Sequence, residues 1–197
     1  MVDDSSDEGS PPGSGSGISR RRILEIVGAA AAVTGVIIGV IQIWPEPSYT
    51  IQDWGKEANA VCAKTQGGIE KSERDKDDAL ERLGLANMQG IATRSDYIFA
   101  GNSFYDMAGL VNMQAADLSE IRTPNSRADE TKEVSDELWS LSHKIYRVAE
   151  VLRSVDMTSP NDALTEFDAL AKEADRQSQR INESLRKLGA RNCLPAP

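Results

Sequence analysis

The chain has 197 residues, a formal net charge of −9, two cysteines and one histidine. This length leaves room for one modest domain with tails. Aromatic residues make up only 5% of the chain, and a core of aliphatic side chains and alanine favours helices over a β-sandwich. Two cysteines and one histidine are too few for a Cys/His zinc site, and the acidic balance argues against a nucleic-acid partner. We therefore expect no metal, no cofactor and no nucleic acid.

The first 44 residues predict a disordered tail followed by a membrane span. Residues 1–19 are acidic and rich in Gly, Ser and Pro, a composition that cannot bury a core. Residues 20–44 contain three arginines and then a 22-residue apolar run from Ile23 to Trp44, in which Glu25 is the only charge. A helix of that length covers about 33 Å, enough to cross the hydrocarbon core. We expect residues 20–44 to form a single transmembrane helix with a basic flank.

The charges on the two sides of the span predict its orientation. Arginines occupy positions 20–22, whereas the next basic residue is Lys56, so the positive-inside rule places the N-terminus in the cytoplasm and residues 45–197 outside. No small-x-small cleavage pattern follows the apolar run, and we expect an uncleaved anchor in the plasma-membrane bilayer. Residues 19–24 resemble a twin-arginine export signal, although Glu25 stands where that pattern has Lys. That resemblance also implies a domain outside the cytoplasm.

Small residues recur within the predicted span at 4-3-4 spacing. Such a stripe lets two transmembrane helices approach closely, so it predicts a homodimer or a pairing with a partner's span. Small residues are common in bacterial spans, and chance recurrence is the simpler interpretation. The residues of this stripe are Gly28, Ala32, Gly35 and Gly39.

Beyond the span, the apolar periodicity predicts an all-α domain. We expect a linker over residues 45–51, an up-down bundle of three or four helices over 52–193, and a short tail over 194–197. The clearest element is the third helix of the bundle, where apolar residues recur at 4-3-4-3-4-3 spacing. This stripe consists of Val134, Leu138, Leu141, Ile145, Val148, Leu152 and Val155.

The first two helices of the bundle are delimited by breaks in the pattern. The first is expected over residues 52–66 and ends at a break or kink formed by Gly67 and Gly68. Residues 70–82 are densely charged, so they are either a solvated turn or the opening of the next helix. The second helix is expected over residues 83–122.

Capping residues delimit the other two helices. Asn125 or Ser126 is expected to cap the third helix. Ser159 and Pro160 are expected to begin the fourth, and Gly189 to end it in the left-handed conformation.

Cys62 and Cys193 are the only cysteines. In an oxidising compartment they are free to pair, and a bundle with the first helix beside the fourth would bring them together. The alternative is a buried thiol at Cys62 and an exposed thiol at Cys193. Residues 58–64 and 185–193 (ANAVCAK and LRKLGARNC) are similar to segments of uncharacterised bacterial exported or membrane-anchored helical proteins. That resemblance implies a helical fold and a terminal disulfide, but no activity.

Four of the seven Phe and Tyr residues fall within residues 97–105. The simpler interpretation is that these rings fill the centre of a bundle built otherwise of small residues. The functional interpretation is an aromatic patch that docks a partner, with Tyr97, Phe104 and Tyr105 as its anchors. His143 lies off the apolar stripe of its helix, which favours a solvated side chain.

These observations favour binding over catalysis, because the sequence contains no P-loop, no nucleophile elbow and no histidine cluster. We expect a single-pass, membrane-anchored, non-enzymatic interaction or scaffold protein of the bacterial cell envelope, whose partner is an unknown envelope protein. The alternative is a receptor-like sensor whose outer bundle binds a ligand and signals through a partner protein. The predicted outer part carries 19 Lys and Arg against 26 Asp and Glu, which favours a basic or neutral partner.

Overall fold

The computed structural model of the protein describes residues 48–193. They form four helices: α1 (Ile51–Met88), α2 (Arg94–Ser119), α3 (Ala128–Arg153) and α4 (Pro160–Lys187). The described part contains no strand, which confirms the all-α prediction. The predicted N-terminal tail, the predicted span and the C-terminal tail lie outside the described residues. So does the predicted small-residue stripe of Gly28, Ala32, Gly35 and Gly39.

The predicted break at Gly67 and Gly68 is wrong. α1 continues through both glycines to Met88, and the chain turns only at residues 89–93, where Gly90 adopts a φ of 69°. Each glycine costs a helix only about 1 kcal/mol relative to alanine, and α1 packs against α2. A Cβ on Gly68 would lie 3.2 Å from Leu110 Cδ2, so the missing side chain lets Leu110 approach α1.

The start predicted for the second helix, at residue 83, is also wrong, because α1 continues past Gly67 and Gly68. Residues 83–88 are the last turns of α1, and α2 begins after Thr93. Asp96 fixes this start, because its carboxylate accepts hydrogen bonds from the backbone N–H of Thr93 at 3.0 Å and from the Thr93 hydroxyl at 2.7 Å. This is a capping box with aspartate in the third position, a variant that uses the shorter carboxylate.

The other termini agree in part with the predicted caps. α3 is preceded by Arg127 in the left-handed conformation (φ 63°), not capped by Asn125 or Ser126. The Arg127 side chain instead binds the Glu130 carboxylate through two nitrogens, at 2.6 and 2.7 Å. α4 begins after Ser159 with Pro160 in its first turn, as predicted, but the Ser159 side chain makes no capping hydrogen bond.

The C-terminus of α4 confirms the cap predicted at Gly189. Gly189 has a φ of 87°. Its N–H donates to the carbonyl of Arg186 at 3.1 Å, and the N–H of Ala190 donates to the carbonyl of Leu185 at 2.8 Å. This pair of bonds defines a Schellman motif, which turns the chain sharply away from the helix.

Consecutive helices pack as antiparallel neighbours. Ser142 on α3 donates to the carbonyl of Ala108 on α2 at 3.1 Å, and Gln177 on α4 donates to the carbonyl of Glu137 on α3 at 3.0 Å. All seven residues of the predicted α3 stripe are buried, although Val155 lies two residues beyond the end of α3. By contrast, no Cα atom of α1 lies within 8 Å of a Cα atom of α4 in the described chain. The bundle is therefore open along the α1–α4 side.

On the open side of the bundle, the described chain meets α1 through the segment after α4, residues 188–193. Leu188, Ala190 and Cys193 are buried there, and a Cβ on Gly55 would lie 2.9 Å from the carbonyl oxygen of Leu188. Glycine at position 55 thus permits this close approach.

No described helix is long and apolar enough to cross a membrane.

Candidate functional site

The three aromatic residues predicted as partner-binding anchors do not share one surface. Tyr97 is completely buried, and its hydroxyl donates to Oδ1 of Asn87 at 2.6 Å. Phe104 is also buried and meets the ring of Phe167 edge to face, with centroids 5.6 Å apart. Only Tyr105 is open to solvent, with 47% of its surface exposed. For Tyr97 and Phe104, the interpretation as core residues is confirmed.

Tyr105 belongs to an aromatic and cationic cluster on the outer face of α2 and α3. Its ring meets Tyr146 edge to face with centroids 4.9 Å apart, and the Arg153 guanidinium lies 5.3 Å from the Tyr105 centroid. We call these three side chains the Tyr105 cluster. Tyrosine and arginine are the residue types most enriched where binding energy concentrates at interfaces. Because its neighbours hold the Tyr105 ring, little side-chain entropy would be lost on binding.

A second candidate site lies where the bundle is open, between α1 and α4. The cavity there has a volume of about 260 Å³, and we call it the α1–α4 cleft. Its floor is apolar and comes from all four helices, whereas its rim is polar. The floor consists of Ile69, Phe104, Met107, Val111, Leu141, Ile145, Val148, Ala171 and Ala174; the rim consists of Glu73, Asp175, Ser178, Gln179 and Asn182.

Glu73 is the less exposed of the two titratable groups on the rim of this cleft. Its side chain is half-buried, and the loss of water raises the pKa of its carboxyl above the ordinary value, while Lys76 opposes the rise. Lys76 does not form an ion pair with Glu73; its ammonium lies 3.3 Å from Oδ1 of Asp77. The other acidic group of the rim, Asp175, comes from α4 and is exposed. The rim therefore carries two carboxylates and no cationic side chain.

The disulfide prediction concerns the end of the bundle where the chain leaves α4. The sulfur atoms of Cys62 and Cys193 are 2.07 Å apart, a bonded distance, so the first and last parts of the domain meet there. Asn59 holds the same segment. Its amide donates to the carbonyl of Gly189 at 2.8 Å, and its Oδ1 accepts from the N–H groups of Arg191 and Asn192. This contact explains why the segment lies in a fixed position on α1.

The Tyr105 cluster and the α1–α4 cleft offer binding chemistry. Within residues 48–193, no group of three or more His, Cys, Asp or Glu side chains is arranged to hold a metal ion. His143 is exposed on α3, where the sequence predicts it. What the two sites can do is hold an apolar or cationic group against a preformed surface.

Sequence reasoning missed Asn59, the cleft and two members of the Tyr105 cluster. One signal for the cleft was present: Glu73 follows the buried Ile69 by four residues, which places it on the inward side of α1 once that helix is continuous. The assumed break at Gly67 and Gly68 hid this relation. Tyr146 and Arg153 carried no comparable signal, since their meeting with Tyr105 depends on how α2 and α3 pack.

Comparison of the chain with protein-family models, with curated proteins and with solved structures gives no match. The resemblances of residues 19–24 and of the two cysteine segments therefore stay predictions.

Proposed function

We propose that this protein is a single-pass, membrane-anchored, non-enzymatic interaction protein of the bacterial cell envelope. In this proposal residues 20–44 anchor the chain in the plasma membrane, the N-terminus is cytoplasmic, and residues 48–193 act outside. The pairing of Cys62 with Cys193 supports that side of the membrane, because disulfides persist mainly in oxidising compartments. The charge asymmetry around residues 23–44 supports the orientation.

The observation that carries the binding function is the Tyr105 cluster. A half-exposed tyrosine whose ring is held by Tyr146 and Arg153 presents a rigid aromatic surface to a partner. The acidic balance of the outer part favours an envelope protein with a basic or neutral contact surface.

The alternative function, a receptor-like sensor, is favoured by a different observation. The α1–α4 cleft is a preformed apolar cavity within a helical bundle, and ligand sites are often built between the helices of such bundles. A sensor of this kind would bind its ligand in the cleft and signal through a partner protein.

Site-specific photocrosslinking in living cells tests the binding surface. A photoreactive phenylalanine at position 105 should give one discrete adduct, whereas the same residue at position 99 should not. Phe99 is a matched control because it lies on the same helix, is 53% exposed, and contacts Arg82 rather than the Tyr105 cluster. The captured protein should fractionate with the envelope, and its co-purification should be lost in Arg153→Ala.

Two results would contradict the proposal. Equal crosslinking from positions 99 and 105 would show that Tyr105 is not a preferred contact. Activity of a cytoplasm-only reporter fused after residue 197, with an inactive periplasmic reporter there, would reverse the proposed topology. Tyr105→Ala should leave stability within about 1 kcal/mol, as expected for a surface position. Phe104→Ala should cost about 3–5 kcal/mol, because it empties part of the core.

A further inference from the structure

We infer that the α1–α4 cleft is a binding site for a small organic cation, an apolar group that carries an ammonium. The site shares no residue with the Tyr105 cluster, and it does not depend on membrane anchoring. Its failure would therefore leave the proposed interaction function intact. If the inference holds, a small organic cation is the ligand class for the sensor alternative.

The shape of the cleft favours a small molecule over a partner helix. A helix with its side chains is about 10–12 Å across. A cavity of about 260 Å³ does not enclose a helix, which could only lie across its opening, whereas its volume approaches the lower end of ligand cavities, about 300 Å³. Phe104 of the floor meets the ring of Phe167 on α4, and outside the cleft the disulfide joins the segment after α4 to α1. Both contacts restrain the helices that form the two sides of the cleft.

The floor of the cleft selects an apolar group. Met107, Val111 and Ile145 come from two helices and face the same cavity, so a hydrocarbon cage placed there would exchange water for close apolar contact. Met107 adapts to the shape of such a group because its side chain is unbranched and flexible.

The rim selects a positive charge. Glu73 from α1 and Asp175 from α4 stand on opposite sides of the cleft. Glu73 forms none of the ion pairs found within residues 48–193, and Lys76 is engaged with Asp77. The half-buried Glu73 carboxylate has no hydrogen bond or ion pair among residues 48–193, and its loss of water raises its pKa although Lys76 opposes the rise. An ammonium in the cleft would supply that partner through a charge-assisted hydrogen bond, while Ser178 and Asn182 offer further oxygen acceptors.

Methyl NMR of the full chain in phosphatidylcholine nanodiscs tests the inference. The five methionines include Met107 in the cleft and the exposed Met88 and Met113, which serve as internal controls. The probes share one cage: 1-adamantylammonium, 1-adamantanol and adamantane-1-carboxylate. We expect a saturable shift of the Met107 methyl signal alone, with the ammonium binding about tenfold or more tightly than the alcohol and the carboxylate weakest.

Variants separate the charge from the cavity. Glu73→Gln should bring the affinity for the ammonium down to that for the alcohol, whereas Glu81→Gln, an exposed carboxylate two turns further along α1, should change nothing. Ser178→Phe should block all three probes. It replaces a half-buried side chain at the rim, and unchanged Met88 and Met113 signals would show that the fold is kept.

Each remaining outcome would overturn the inference. Equal affinity for the ammonium and the alcohol would show that the rim does not recognise charge. Parallel shifts of Met88, Met107 and Met113 would show non-specific partition. Absence of any Met107 shift, or the same loss of affinity in Glu81→Gln as in Glu73→Gln, would show that the cleft is not the site.

Discussion

Alanine at Gly67 and at Gly101 tests the two features of the fold that the sequence pattern concealed. Gly67 lies in the middle of α1, and a Cβ placed there meets nothing within 4 Å. Gly101 lies in the middle of α2, and a Cβ there would lie 2.9 Å from the carbonyl oxygen of Ala149 and 3.2 Å from the backbone N of Arg153. Both positions are helical, but only Gly101 faces the backbone of a neighbouring helix.

The expected magnitudes follow from these surroundings. Gly67→Ala should stabilise the protein by about 1 kcal/mol, the difference in helix propensity between the two residues. Gly101→Ala gains the same propensity term but forces α2 and α3 apart, at a cost of about 1–3 kcal/mol. The propensity term cancels when the two variants are compared. The difference between them therefore measures the close approach of α2 and α3.

Urea unfolding of the full chain, followed by circular dichroism, gives both values. Gly84→Ala is a matched control, because Gly84 is also exposed on α1 with open space at its Cβ, and it should behave like Gly67→Ala. Loss of stability in Gly67→Ala would refute a continuous α1. Equal stabilisation by Gly67→Ala and Gly101→Ala would refute the close packing of α2 against α3.

Two further predictions concern the disulfide and the acid response. Denatured, unreduced protein should show no free thiol at Cys62 or Cys193, and two titratable thiols per chain would contradict the bond. Reduction should lower the free energy of unfolding by about 4–5 kcal/mol, the value for a loop of 131 residues. Hydrogen bonds from Thr50 and Thr93 lower the pKa values of Asp53 and Asp96 in the folded state. The two ionised carboxylates therefore stabilise the fold above the unfolded aspartate pKa of about 3.9, and this contribution is lost as the pH falls through the lower folded pKa values. The urea midpoint should decrease on acidification, and it should decrease less in the double variant Asp53→Asn, Asp96→Asn.

The sequence predicts the parts of this fold that depend on local periodicity and caps. The α3 stripe from Val134 to Val155 could be read directly, because an unbroken 4-3 spacing has one helical solution. Pro160 and Gly189 could be placed because their backbone angles are restricted or unusually free. Gly67 and Gly68 could not be resolved, since a glycine pair is compatible with a turn or a helix and only the packing of α1 on α2 decides.

The candidate sites were less predictable because they depend on contacts between helices. The aromatic run at residues 97–105 drew attention to Tyr105. Which rings of this run are buried, however, depends on the angular position of each ring on α2. Tyr97 and Phe104 are buried in the bundle. Tyr105 is the next residue after Phe104, which turns its ring toward the solvent. Only the packing of α3 brings Tyr146 and Arg153 to it.

The α1–α4 cleft illustrates why a site of this kind escapes periodicity arguments. A helix that packs along its whole length shows a continuous apolar stripe, as α3 does. The inward face of α1 instead contains Glu73, and that of α4 contains Ser178 and only half-buried Ala171. Closing α1 onto α4 would bury the Glu73 carboxylate, and the small side chains of Ala171 and Ser178 do not fill the space between the helices, so a gap remains while the disulfide joins the chain beyond α4 to α1. The residues that weaken the stripe are therefore the residues that form the cleft.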